Sequence, residues 1–216
     1  LDLYDGLGAM NIEQGTEFYN FENLNSSTQY YFKLYPYSNF GSQINYKTDD
    51  NPVECMGETL ANPCVVNLSV SDYIEGFEDV AINEIPECAS VENANADAYE
   101  WLTATTNPHE GTKHLSIRWN GSLDMDDWFY SAPLLLEAGI EYNVSFWYRA
   151  SSASYPERLK VHWGTINNSE SMILGELFSN DNITATEYVQ VQTSITPTES
   201  GTYYIGWHGY SEADMY

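Results

Sequence analysis

The residues best suited to chemistry in this chain are four histidines and an unusually large set of acids. The histidines are His109, His114, His162 and His208, and their spacing does not match a metalloprotease helix. The sequence has no Gly-x-Ser-x-Gly nucleophile motif and no glycine-rich phosphate loop. Paired carboxylates can hydrolyse glycosides, but 32 acidic residues supply such pairs by chance. We therefore predict no catalytic residues and no enzyme activity.

The charge of the chain excludes several classes of partner. Seven lysines and arginines stand against 32 acidic residues, so the formal net charge is −25. Such a surface repels nucleic acid and anionic membranes. No apolar run reaches the roughly 18–20 residues of a membrane helix, so we expect no membrane insertion. Carboxylates are also the oxygen ligands that calcium prefers, although solubility alone would explain the acidity equally well.

The chain has three cysteines, Cys55, Cys64 and Cys88, and no Cys-x-x-Cys pair that would indicate structural zinc. The acidic, lysine-poor composition favours an extracellular location, where disulfides persist. Cys64 and Cys88 could then form a disulfide. Cys55 would remain free or pair with a cysteine outside this sequence.

Short alternating apolar runs, separated by Gly, Asn, Asp, Pro and Ser, predict an all-β chain. In the run that begins at Tyr142, alternation places Tyr142, Val144, Phe146 and Tyr148 on one face. A linker-like stretch at 60–64 divides the chain into blocks 1–60 and 61–216. The clearest predicted strands are Gln29–Tyr37, His114–Trp119, Tyr142–Arg149, Arg158–Trp163, Glu187–Ile195 and Gly201–His208.

The first block contains the pattern Leu24-x-x-x-Thr28-x-Tyr30, followed by an aromatic strand and by Ile44–Asp49. It resembles the later strands of fibronectin type III-like domains from bacterial secreted proteins. The early strands of such a domain have no counterpart here. We therefore expect residues 1–60 to be a partial domain whose open sheet edge is covered by preceding sequence.

The second block is similar to the cleaved adhesin, or choice-of-anchor J, domain, which is related to MAM domains. The resemblance implies an antiparallel jelly-roll β-sandwich over residues 61–216. The chain departs from the family at Ala89, where a Trp is usual, and ends before the family's last strand. The matching segments, in family order, are Cys64, Glu75–Glu78, Ile85–Cys88, Tyr99–Trp101, His109–Leu115, Asp126–Leu134, Ala138–Arg149, Glu157–Val161 and Gly201–His208.

The resemblance also implies a structural calcium site. Its ligands would come from the N-terminal strand, the Asp-Trp loop and the C-terminal segment. In this chain these are Glu75, Glu78, Asp126 and Asp214, with Asp97 as a further candidate. The alternative interpretation is that each is an ordinary solvated carboxylate.

The favoured function is a non-catalytic adhesion or carbohydrate-binding module of a bacterial cell-surface protein. Its partners would be host or environmental glycans or proteins, or neighbouring domains of the same chain. Aromatic residues that could stack on sugars are Trp119, Trp163, Trp207 and Tyr155, although strand positions favour core packing. The alternatives are a structural spacer or filament-forming segment, and an accessory module of a secreted hydrolase.

Overall fold

The computed structural model describes residues 11–13, 21, 24, 28–39, 43–48, 51–60 and 62–213. These residues form fifteen β-strands and a short 3₁₀ turn at Ser169–Ser171, without an α-helix. The all-β prediction is therefore confirmed. No helix in this part of the chain is long and apolar enough to cross a membrane.

The chain divides into two compact units, Leu1–Asn62 and Pro63–Tyr216. In the first unit β1 pairs with β4 and β2 with β3, both antiparallel. Most side chains of the β1–β4 pair are exposed. The assignment of residues 1–60 to a partial fibronectin type III-like domain stays a prediction. The strands are β1 (Gln29–Leu34), β2 (Tyr37–Ser38), β3 (Asn45–Tyr46) and β4 (Val53–Glu58).

The second unit is built on a seven-stranded sheet in which β13, β12, β15, β10 and β5 are successive neighbours. β9 pairs with the later part of β15, and β6 pairs with β9. Two antiparallel pairs, β11–β14 and β7–β8, stand apart from this sheet. The strands are β5 (Val66–Asn67), β6 (Ser90–Asn93), β7 (Leu102–Ala104), β8 (His114–Ser116), β9 (Asp127–Tyr130), β10 (Leu134–Leu136), β11 (Tyr142–Tyr148), β12 (Glu157–Gly164), β13 (Gly175–Ile183), β14 (Val189–Ile195) and β15 (Gly201–Gly209).

The hydrophobic core lies between the large sheet and the β11–β14 pair. Val144 of β11 and Ile195 of β14 are buried in the same cluster as Leu136, Val161 and Ile205 of the large sheet. Because β-strand side chains alternate between faces, one row of each paired strand enters this core and the other faces outward. The second unit is thus a β-sandwich, and the predicted inward row of β11 is confirmed.

Two differences from the predicted strands have physical causes. The strand predicted over Gln29–Tyr37 ends at Leu34, because Pro36 has no N–H to donate to a sheet. The long strand β13 was not predicted, because its sequence, GELFSNDNI, contains little alternation of apolar and polar residues. β13 pairs with β12 through two register shifts, which indicates irregular packing along this edge.

A disulfide joins Cys64 to Cys88, with their Cα atoms 5.1 Å apart and a sequence separation of 24. It connects the segment before β5 to the segment before β6, two short strands that pair with different partners in the large sheet. Closing this loop covalently restricts the unfolded chain, which stabilises the folded state. Cys55 is an exposed free cysteine in β4.

We expect the double variant Cys64→Ser/Cys88→Ser to lower the free energy of unfolding by about 3 kcal/mol, from the entropy of a loop of this length. Urea unfolding of the whole chain without reductant measures this. The matched control Cys55→Ser, at an exposed position, should leave the midpoint unchanged. Equal effects of the two changes would contradict a stabilising role for the bridge.

Candidate functional site

Glu75, one of the predicted calcium ligands, stabilises a local turn. Its Oε1 accepts a hydrogen bond from the N–H of Phe77 at 2.6 Å. Phe77 has a φ of 62°, a left-handed conformation that is unfavourable for an aromatic residue. The carboxylate of Glu75 therefore helps to hold the strained turn at Phe77.

Glu78, a second predicted ligand, holds a distant loop. Its Oε1 accepts the N–H groups of Thr112 and Lys113 at 2.8 and 2.9 Å, and its Oε2 accepts the Thr112 hydroxyl at 2.6 Å. These hydrogen bonds, with that of the Thr112 hydroxyl strongest, lower the pKa of Glu78. Gly111 permits this approach, because it has a φ of +63° and a Cβ there would collide with the carboxylate.

The third predicted ligand, Asp126, is paired with a histidine. Its Oδ1 lies 2.7 Å from Nε2 of His208, whose ring stacks on Trp128 at 4.2 Å. Asp214, the fourth, lies outside the described residues. Among residues that the structure describes, no three His, Cys, Asp or Glu side chains form a metal-ligand group, so Glu75, Glu78 and Asp126 are not brought together.

The next residue, Asp127, is a buried acid with an unpaired oxygen. Its side chain is 1% exposed, and its Oδ1 has no hydrogen-bond partner. Burial, followed by the negative charge of Asp97, raises the pKa of Asp127 to about 6, and Asp126 and Glu100 add to the effect. A buried carboxylate oxygen without a donor favours a proton or a cation at this position.

The loop between β6 and β7 fixes Asp97 near this carboxylate. Asp97 accepts the N–H of Tyr99 through Oδ1 at 2.6 Å and the amide of Asn120 through Oδ2 at 2.8 Å. The side-chain amide of Asn93 donates to the carbonyls of Asp97 and Tyr99, each at 3.0 Å. The sequence suggested Asp97 only as a further candidate, whereas the structure makes it the main neighbouring charge of Asp127.

Glu92 in β6 differs from Asp127, because both of its carboxylate oxygens accept hydrogen bonds. It accepts the hydroxyl of Tyr130 at 2.7 Å, and the N–H and hydroxyl of Ser169 at 2.8 and 2.6 Å. Burial alone would raise the pKa of Glu92, but these hydrogen bonds outweigh it and the pKa is lowered. The donors stabilise the charged form, which the surroundings of Asp127 do not.

A second candidate site is the outward row of the β11–β14 pair, which we call the amide face. Three cross-strand pairs form it: Asn143 with Ser194, Ser145 with Gln192, and Trp147 with Gln190. All six side chains are exposed and none carries a charge. Between them lies a hollow of about 300 Å³, lined by Asn143, Val144, Ser145, Gln192 and Thr193.

Trp147 ends this face and is 43% exposed. The ring of His109 stacks on it at 4.0 Å, and Tyr188 meets His109 edge-on at 5.2 Å. The hydroxyl of Tyr188 donates to the carbonyl of Asn107 at 2.9 Å, while Arg149 lies over the Tyr188 ring at 5.4 Å. These contacts dock the loop that carries His109 and hold the indole in place.

The aromatic residues selected from sequence lie elsewhere. Trp163 and Trp207 pack against the hydrophobic core, as their strand positions favoured, and Trp119 is half-buried with Arg118 at 5.8 Å from its ring. Tyr155 is 38% exposed, in the connection between β11 and β12. Trp147 was missed, although alternation in β11 already placed it opposite the inward Phe146.

The fold matches solved structures of adhesin domains. The K1 cleaved adhesin domain of Lys-gingipain from Porphyromonas gingivalis W83 is 19% identical, with a TM-score of 0.53, over 65% of this chain and 89% of that one. This chain has the cleaved adhesin fold.

Two further Lys-gingipain domains share that fold. The K2 domain is 15% identical, with a TM-score of 0.55, over 67% of this chain and 93% of that one. The K3 domain from Porphyromonas gingivalis W83 is 17% identical, with a TM-score of 0.52, over 65% of this chain and 90% of that one. No family model and no curated protein matches the sequence. The predicted resemblance is confirmed for the cleaved adhesin fold.

The contacts of Glu92 predict a pH-dependent stability. We expect Glu92→Gln to lower the free energy of unfolding at pH 7 by about 1–2 kcal/mol, because hydrogen bonds to a half-buried charge are lost. The pKa of Glu92 is lowered by folding, so its contribution is present above the unfolded value near 4.3 and is lost as the pH falls through the folded value.

Urea unfolding between pH 7 and pH 3 measures this difference. The difference in free energy of unfolding between wild type and Glu92→Gln should narrow below about pH 4.5. The exposed control Glu187→Gln should follow the wild type throughout. A gap that stays constant with pH would contradict the role assigned to the Glu92 charge.

Proposed function

We propose that residues 63–216 are a non-catalytic carbohydrate-binding module and that the amide face is its binding surface. The observation that carries the proposal is an exposed indole, Trp147, at the end of an uncharged row of amides and hydroxyls. The C–H faces of sugar rings stack on aromatic rings, and their hydroxyls pair with amide groups. This combination is typical of a surface that binds sugars.

The charge distribution supports a neutral ligand. The chain has a net charge of −25, yet the six side chains of the amide face are all uncharged. A basic partner would be attracted to the carboxylates elsewhere on the surface rather than to this face. Uncharged hydrogen-bonding groups suit a partner that is itself polar and uncharged.

The contents of the hollow favour binding over catalysis. Its outward-facing lining residues, Asn143, Ser145 and Gln192, supply amides and a hydroxyl, without an acid or a base. Hydrolysis of a sugar would need a pair of carboxylates at the bound bond. The shared fold with proteins described as adhesin domains supports an adhesive role, and we place the module in an exported bacterial cell-surface protein.

We also propose that calcium stabilises the module, with Asp127 and Asp97 as ligands. The orphaned, buried Oδ1 of Asp127 fits a hard cation, and Asp97 offers the neighbouring carboxylate. Backbone carbonyls or water would complete the shell, since calcium takes six to eight oxygens. The bound ion would supply positive charge where the fold holds negative charges together.

Thermal unfolding with millimolar calcium and with chelator tests this proposal. We expect calcium to raise the midpoint by about 5 °C or more, because it binds only the folded state. Asp127→Asn should abolish the shift. In chelator the same variant should be more stable than wild type by about 1–3 kcal/mol at pH 7, because the buried charge is gone.

Glu78→Gln is the matched variant for the calcium ligands predicted from sequence. We expect it to lower the midpoint with and without calcium and to keep the calcium shift, because Glu78 holds the loop at Thr112. Loss of the shift in Glu78→Gln but not in Asp127→Asn would move the ion to the Glu75–Glu78 segment. A wild type without any shift would exclude a stabilising calcium ion.

A glycan array tests the carbohydrate proposal directly. The whole chain should bind a defined group of glycans. Trp147→Ala should lower the affinity by at least about tenfold, because the stacking surface of the indole is lost. Tyr155→Ala, at an exposed aromatic residue off the amide face, is the control and should bind normally. A blank array for the wild type would favour the structural-spacer alternative.

A further inference from the structure

We infer that the amide face binds an internal stretch of a neutral polysaccharide, laid along β11 and β14 and held at both ends of the face. This rests on the proposed carbohydrate-binding function. The two points of contact are the indole of Trp147 and the polar hollow beside Asn143 and Gln192. Their separation along the strands determines what length of ligand the face can recognise.

The face is longer than one sugar ring. From Asn143 to Trp147 the strand advances four residues, which is roughly 14 Å at the rise of an antiparallel strand. That distance leaves room for a chain of several rings lying parallel to the strands. One ring can therefore stack on Trp147 while another reaches the hollow.

The polar groups of the amide face differ between its two ends, so each end can bind a different ring of one polysaccharide. Gln190 lies across from Trp147, so a ring stacked there has an amide beside it. The next pair along, Ser145 with Gln192, opens into the hollow of about 300 Å³. A stacked ring and a hydrogen-bonded ring would thus be recognised by different chemistry on one continuous surface.

Exposed residues lie at both ends of the β11–β14 pair. Val189, which follows the Trp147 end, is 38% exposed, and Ile140, before the other end, is 48% exposed. A longer chain can therefore extend past both ends of the face. This geometry favours recognition of the middle of a polysaccharide over recognition of its terminal ring.

The surrounding charge selects against acidic polysaccharides. Glu141 lies at the hollow end, where it accepts the hydroxyl of Ser194 at 2.8 Å. The chain as a whole carries −25, and no lysine or arginine belongs to the amide face. A uronic-acid or sulfated chain would meet repulsion from the net charge, and the nearby Arg149 already donates to the carbonyls of Ala150 and Thr106, whereas a neutral chain would meet no repulsion.

Calorimetric titration of the whole chain with neutral gluco-, xylo- and manno-oligosaccharides of two to six rings tests the inference, with oligogalacturonates as the acidic series. For the series that binds, we expect affinity to rise about tenfold or more from two rings to four and then to level off. The double variant Asn143→Ala/Gln192→Ala should bind the four-ring ligand about as weakly as the two-ring ligand. Its affinity for two rings should stay within about twofold of wild type.

Trp147→Ala should weaken ligands of every length. Asn182→Ala, an exposed amide on β13 in the other sheet, is the control and should match the wild type. Because all these side chains face outward, unchanged unfolding midpoints will show that the variants fold.

Several results would overturn the inference while leaving the proposed function standing. These are equal affinity for two and six rings, a double variant that binds like wild type, and tighter binding of oligogalacturonates. If no oligosaccharide of any series binds the wild type, the proposed function itself is wrong and the inference falls with it.

Discussion

The packing of the β11–β14 pair onto the large sheet is the constraint on which this molecule depends. A two-stranded ribbon is marginal on its own in water, so its inward row must be buried. Val144 and Ile195 are the buried members of that row in this chain. Because side chains alternate strictly, burying this row fixes the opposite row as solvent-facing. The amide face is exposed because the alternate residues of the same two strands face the core.

The strand pairing around β9 explains the different surroundings of two acids, Asp127 and Glu92. β9 lies between β15 and β6, so both of its edges are paired and all four of its residues are buried. Glu92 of the neighbouring strand finds three hydrogen-bond donors for its charge. Asp127 is equally well placed in the sheet but has an oxygen without a donor. Leaving this buried oxygen unpaired costs free energy, which the calcium ion proposed above would offset.

The sequence predicted what depends on local alternation and missed what depends on distant contacts. Strands such as Tyr142–Tyr148 were found because polar and apolar residues alternate there, whereas the polar β13 was not. Trp147 was passed over because indoles in strands usually pack inward, as Trp207 does. The sequence named Asp126 and passed over Asp127, because the burial and unpaired oxygen of Asp127 depend on strand pairing that no local pattern shows. The contacts of Glu78 lie 34 and 35 residues away, so no local pattern could reveal them.

The bridge between Cys64 and Cys88 also has a mechanical consequence. The boundary between the two units falls at Asn62 and Pro63, so tension transmitted along the chain enters the second unit beside Cys64. Force then passes through the covalent bond directly to Cys88 and into β6. Residues 65–87, including the strained turn at Phe77, lie within the loop that the bridge closes, so pulling on the chain cannot extend them while the bridge is intact. The bridge therefore limits the length of chain that force can release from the second unit.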